Sequence, residues 1–238
     1  MSSEKKQLVL FSVAGGLFTL LMLVGLAGNV IRGNYKAVPL VGSALLLSAF
    51  LVWFNHRRTR IMFRDPTPDR LITHYHATVR RIPHADAAAA YLSALAAAVY
   101  GQFDRAREEL GAVDWDKAPA MYRGHRLHVL ALMEILENQD HAEALRLAEE
   151  ANALEQSDKA GGMTILHDAI LLAAGNASPE VIEQTKRAAA RSAGVMPAIC
   201  AWALSLHFER LGQSVEASRY RKQVIASVPN FVGADQTP

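Results

Sequence analysis

Cysteine is nearly absent from this chain. Cys200 is the single thiol in 238 residues, so no intrachain disulfide can form, and nothing beside it suggests reactivity. The expectation for it is a small buried hydrophobe. Signatures of catalysis that can be read from spacing are missing too: there is no His-Glu-x-x-His run, no glycine-rich loop after a strand, and no serine or cysteine nucleophile motif. No alternating strand pattern of any length occurs after residue 65. The sequence therefore gives no ground for an enzyme, and we expect no catalytic, cofactor-binding or metal-binding residues.

Charge is missing from two long stretches. Gln7 to Ile31 is 25 residues without a formal charge, and Ala37 to Asn55 is another 19, where a helix needs roughly 20 to cross the hydrocarbon of a bilayer. Two transmembrane helices over about 7–31 and 37–55 follow, joined by the short turn Arg32-Gly33-Asn34-Tyr35-Lys36. The first run far exceeds the apolar core of a cleavable signal, and a second follows at once, which argues for an anchor. Neither span holds an ionisable residue, so a proton or ion pathway has no foothold. Gly15, Gly16, Gly25, Gly28 and Gly42 are small enough to let the two spans pack closely.

What charge there is sits unevenly. Residues 1–64 carry eight Lys or Arg against Glu4 alone, a net +7, while the whole chain is +2, which leaves −5 for residues 65–238. An acidic domain argues against nucleic acid as a partner, because phosphate neutralisation supplies most such affinity. Six cations, Lys5, Lys6, Arg57, Arg58, Arg60 and Arg64, flank the chain ends of the hairpin, against Arg32 and Lys36 in its turn. Positive flanks stay on the cytoplasmic face, so both termini are expected there. In the collar 56–64, Arg57, Arg58, Arg60 and Arg64 are expected to touch the lipid surface. Arg outnumbers Lys by 18 to 7, which suits a GC-rich bacterium and its inner membrane.

Beyond the break Asp65-Pro66-Thr67-Pro68-Asp69, helical periodicity predicts nine helices, over about 69–81, 86–101, 103–113, 119–137, 140–154, 161–174, 179–193, 196–211 and 214–228. Asp140 with Glu143 reads as a capping box, Ser178 as a cap with Pro179 at the first helical position, and Ser214 as the cap of the last helix. The implied division is an anchor at 1–64, a linker and first soluble helix at 65–84, a repeat domain at 85–230 and a tail at 231–238.

A motif recurs between helix pairs: Gly101-Gln102-Phe103-Asp104-Arg105-Ala106, then Gln139-Asp140-His141-Ala142-Glu143-Ala144, then Gly212-Gln213-Ser214-Val215-Glu216-Ala217. Small residues match at Ala94 with Ala106 and at Ser205 with Ala217; Leu132 departs, and 161–194 has lost the pattern. The arrangement resembles the tetratricopeptide repeat family, whose units are antiparallel helix pairs. The resemblance, which covers about residues 85–230, implies a helix-pair solenoid with a concave surface lined by the first helix of each unit; with the hairpin read from the uncharged runs before it, the chain is expected to be all-α, a transmembrane hairpin followed by the solenoid. The resemblance places Tyr91, Leu95 and Val99, then Arg126, Val129 and Met133, then Ile199, Trp202, Leu206 and Glu209 on that groove. The basic clamp of some members needs Lys and Asn there, and neither is present.

His74, His76 and His84, and the pair His125 and His128, read as surface or groove histidines rather than ligands. The carboxylate runs Glu108-Glu109, Glu149-Glu150 and Asp114 with Asp116 read as solvated helix faces. The function these features imply is a membrane-tethered interaction module or scaffold whose groove takes a protein partner in or at the membrane. The alternative is a structural subunit of a larger membrane complex, bound through the hairpin. The bilayer is a further partner, homo-oligomerisation stays open, and no cofactor is implied.

Overall fold

A computed structural model describes residues 61–157, 164–190 and 194–235, together with Ser43, Ser48 and Phe50. The chain falls into two compact units, Met1–Thr59 and Arg60–Pro238, and every element below belongs to the second. Of the hairpin expected over 7–31 and 37–55 only Ser43, Ser48 and Phe50 are described, and they are helical and exposed; the rest of it, its five glycines, Arg57, Arg58 and Arg60 lie outside the described residues. Arg64 is described and exposed. Among the described residues no helix is long and apolar enough to cross a membrane.

The unit is all-α, with no strand among the described residues. Nine α-helices are described: α1 (Asp69–Val79), α2 (Ala85–Val99), α3 (Phe103–Gly111), α4 (Ala120–Met133), α5 (His141–Ser157), α6 (Thr164–Ala174), α7 (Pro179–Ala189), α8 (Val195–Arg210) and α9 (Ser214–Ser227). A π-helical turn, Glu134–Asn138, extends α4. Each corresponds to one periodic run in the sequence, with ends moved by a few residues, the usual uncertainty of frayed termini.

The helices pair in sequence as α2 with α3, α4 with α5, α6 with α7, and α8 with α9, and successive first helices touch, α2 on α4, α4 on α6, α6 on α8. The turn inside each pair uses one device. Gly101, Gly175 and Gly212 take positive φ of 73°, 87° and 70°. Each closes the preceding helix with the same two backbone bonds, for example Gly101 N–H to Ala98 and Gln102 N–H to Ala97. That is the left-handed helix stop for which glycine is the cheapest residue. Gln139 fills the place at φ 55° in the second pair. These four positions are 38, 36 and 37 residues apart, so the unit between 161 and 194 keeps the recurrence in its backbone. Its motif is hidden because the next helix starts four residues after Gly175, rather than two after Gly101 or Gly212.

The caps divide. Ser178 Oγ accepts from the Val181 N–H at 3.3 Å, with Pro179 first in the helix. Asp140 Oδ1 accepts from the Glu143 N–H at 3.0 Å, but the capping box is only half made, since the Glu143 carboxylate turns to Arg146 at 2.6 Å. Ser214 is not a cap; it is already helical, and Gln213 precedes it without a side-chain bond.

Alanine explains the closeness of the inner layer. Ala94, Ala96, Ala97 and Ala98 of α2 have no exposed surface, nor do Ala106 of α3, Ala144, Ala148 and Ala151 of α5, or Ala198, Ala201 and Ala203 of α8. Small side chains let helix axes approach until larger ones such as Leu132, Ile170, Ile199 and Leu204 fill the spaces between them. The C-terminal turn Val232–Asp235 then folds back onto α8. Phe231 meets the Trp202 ring at 5.7 Å, and a Cβ on Gly233 would stand 2.6 Å from Trp202 Nε1. Cys200 is wholly buried, as a small hydrophobe.

Candidate functional site

The inner helices do not line an open groove. Leu95, Val99, Val129, Met133, Ile199 and Trp202, six of the ten residues expected there, are buried, with Trp202 at 1% exposure under Phe231 and Gly233. Their apolar character belongs to the contact between successive first helices. The other four are partly exposed. Tyr91 leans on the His125 ring at 4.8 Å. Arg126 covers the Trp115 ring at 5.6 Å, and Glu209 pairs with Arg221. Leu206 packs at the edge of the core.

Among the histidines the structure separates two sets. His74 is exposed, His76 reaches Ser93 Oγ at 3.2 Å, and His84 sits beside Tyr122 with ring centres 6.2 Å apart, so these three form no common site. His125 and His128 instead enter the core, at 6% and 0% exposure. Three residues apart on α4, they share a face. That face meets α5, where Glu155, only 4% exposed, lies between them. Its Oε1 is 3.3 Å from His128 Nδ1 and 3.6 Å from His125 Nε2. On its far side, His128 Nε2 is 3.4 Å from Nδ1 of His167 on α6. A carboxylate and three imidazoles are thereby joined across three helices.

The local sequence makes room for this. Gly124 sits one residue before His125, and a Cβ there would come within 2.6 Å of Glu155 Cγ and 3.0 Å of the Ala151 carbonyl. Around His125, Tyr91 lies against the ring and Tyr122 meets it edge-on at 5.8 Å. Burial pushes His125 down to about 4, against the pull of Glu155, and the charge of His128 lowers it further. It is therefore neutral at ordinary pH. Tyr91 is pushed up to about 12, chiefly by burial, so its phenol keeps its proton. Burial, then the nearby His128, also lowers His167, while the Glu155 charge, then the Ala148 backbone and the Glu149 charge, oppose this. Asp168, the next residue on α6, is raised by burial and by Glu180.

His167 also reaches the surface. It lines a cleft of about 420 Å³ with Glu149, Asn152 and Ala153 of α5, Leu171 of α6, Asn176 and Ser178 of the following turn, and Val181 of α7. The cluster thus has an inner end at Glu155 and an outer end in water. No three His, Cys, Asp or Glu side chains among the described residues are arranged to hold a metal ion.

Sequence reasoning missed Glu155 and His167 as partners of the histidine pair. One signal was present for Glu155: Ala144, Ala148 and Ala151 form the buried stripe of α5, and Glu155 is its next member. A carboxylate in register with an apolar stripe has to find a partner inside. For His167 there was none, because its meeting with His128 depends on how α6 lies against α4. Glu108, Glu149 and Glu150 stand exposed on helix faces as read, with Arg146 bridging Glu143 and Glu150, whereas the exposed Asp114 and Asp116 lie in no α-helix but at the 3-10 turn Trp115–Lys117. No known protein family, curated protein or solved structure matches this chain.

Proposed function

We propose that this chain is a membrane-tethered interaction module: an N-terminal hairpin holds a tetratricopeptide-like helical array at the cytoplasmic face, where its last helix recruits a protein partner. The observation that carries the reading is the uncovered side of α9. Ala217, Tyr220, Val224 and Ser227 turn one face of this helix into the core. Among the described residues its opposite face presents Val215 at 80% exposure and Ile225 at 49%, with Leu211 at 56% in the turn before it. Arg219 and Lys222 flank them, and an open depression runs along Val215, Ser218 and Lys222. Large apolar side chains gathered on one exposed face mark docking surfaces. The cations select the occupant: a partner helix that sets carboxylates beside its own apolar residues.

Crosslinking in intact membranes followed by mass spectrometry tests this, comparing wild type with Val215→Glu plus Ile225→Glu. Both positions are exposed, so the fold is expected to survive and a specific partner to disappear. An unchanged set of partners in the double variant would overturn the assignment to α9.

A further inference from the structure

Charge in the folded unit is unevenly spread. Residues 86–238 carry twenty Asp or Glu against fourteen Lys or Arg, a net −6. Residues 70–85 hold Arg70, Arg80 and Arg81, with His74, His76 and His84, and no carboxylate at all. Most of this stretch is α1, which packs on α2 and buries Leu71, Ile72 and Val79. Its other face presents Arg70, Thr73, His74, Ala77 and Thr78 at helical spacing, all of them exposed. The exposed turn that follows continues the run as Arg80-Arg81-Ile82-Pro83-His84. Ile82 is 40% exposed there, and His84 closes the turn in the left-handed conformation at φ 57°. The acids just before the stretch are engaged: Asp65 pairs with Arg70 at 3.2 Å and Asp69 with Arg105 at 2.6 Å. Arg80 and Arg81 belong to no ion pair among the described residues, so their charge faces water.

We propose that this face is a lipid contact beyond the collar: α1 and the turn after it lie against anionic headgroups, with Arg80 and Arg81 at the phosphates and Ile82 at the edge of the acyl chains. The inference rests on the membrane-tethered reading above, and adds to it the surface by which the domain meets the bilayer. Reach is the first reason to choose lipid as the occupant. The second uncharged run ends at Asn55, and the chain is already fastened to the folded unit at Phe63. The Phe63 side chain is buried, its carbonyl accepts from the Tyr100 hydroxyl at 3.1 Å, and the Asp65 carbonyl accepts from Asn230 Nδ2 at 3.0 Å. Eight residues from Asn55 to Phe63 span at most about 28 Å. A cationic face on so short a tether meets headgroups at high effective concentration.

Chemistry is the second reason. Cations beside one exposed isoleucine suit the headgroup boundary, where an apolar tip can sink while the guanidinium groups stay at the phosphates. Each cation near an anionic surface strengthens the attraction about fivefold. The other acidic surface within reach is that of a second copy, whose residues 86–238 carry the net −6, but it offers Ile82 no apolar layer to enter.

The test places the full chain in nanodiscs of phosphatidylcholine, with and without phosphatidylglycerol, doped with a lipid that carries a nitroxide on its headgroup. A fluorophore is attached at Ala77→Cys, in the exposed middle of the face; Cys200 is wholly buried and stays unlabelled. The same fluorophore at Ser218→Cys on α9 is the control. Quenching at Ala77→Cys should rise when phosphatidylglycerol is present and fall again at high salt, with a smaller response at Ser218→Cys. Arg80→Gln plus Arg81→Gln, both at exposed positions, should weaken the contact about 25-fold and remove the rise. Equal quenching in the two kinds of disc, an equal rise at the control position, or a rise that survives the double variant would overturn the proposal. A signal that follows the number of chains per disc instead of the lipid would also overturn it, in favour of a second copy. Alkaline carbonate extraction of vesicles separates its failure from that of the tether. A chain that stays in the membrane while its label ignores phosphatidylglycerol refutes the lipid face alone, whereas a chain stripped into solution refutes the tether and the face with it.

Discussion

Acidification should weaken this fold through His125, and the size of the effect follows from its surroundings. An unfolded histidine titrates near 6.5, whereas burial against Tyr91 and Tyr122 pushes His125 down to about 4. The folded state therefore binds fewer protons than the unfolded one between those values. Its contribution to stability is fully present above 6.5 and is lost as pH falls toward 4. From pH 7.5 to pH 5 the loss is about 2 kcal/mol. At 6% exposure the ring is shielded from solvent, so little of this is screened away. With urea slopes of about 1–3 kcal/mol/M, the unfolding midpoint should drop by about 1 M. The assay is urea unfolding of the full chain in micelles, followed by tryptophan fluorescence at pH 7.5, 6 and 5. The control is His125→Phe: neither ring nitrogen of His125 has a hydrogen-bond partner among the described residues, and phenylalanine keeps the ring contacts. The variant should lose about 2 kcal/mol less than wild type over the same pH interval. Equal pH dependence in the two proteins would refute the reasoning.

Two further outcomes follow from the packing. Trp202→Ala should cost about 3–5 kcal/mol in the same unfolding assay, by emptying the space under Phe231 and Gly233, and should release the turn Val232–Asp235 to proteolysis; a loss of less than about 1 kcal/mol would contradict its burial. Gly124→Ala should destabilise by about 1–3 kcal/mol despite the better helix propensity of alanine, because the new methyl meets Glu155 and the Ala151 carbonyl; a stabilised variant would mean that Glu155 has another place to go.

The helices themselves were legible in the sequence because their signals are local. Apolar periodicity, the Ser178-Pro179 start and the glycine stops at 101, 175 and 212 act within a turn or two of the backbone, and all nine runs became helices among the described residues. The buried alanines were legible as well, since a stripe of small residues has use only where helices meet. Charge placement was equally plain: the exposed carboxylates of α5 and the exposed Arg64 stand where solvation puts them.

Tertiary structure alone decided what those faces meet. Trp202 and Leu95 were read as groove because a first helix of a repeat has an inner side; contact between successive first helices, and the C-terminal turn folded onto Trp202, made that side core. The histidine pair on α4 carried no visible partner because Glu155 is 27 positions beyond His128, and His167 is 39. Which ionisable group faces which depends on the rotation and stagger of α4, α5 and α6. Those are set by the sum of many small packing contacts, and no local sequence signal encodes them.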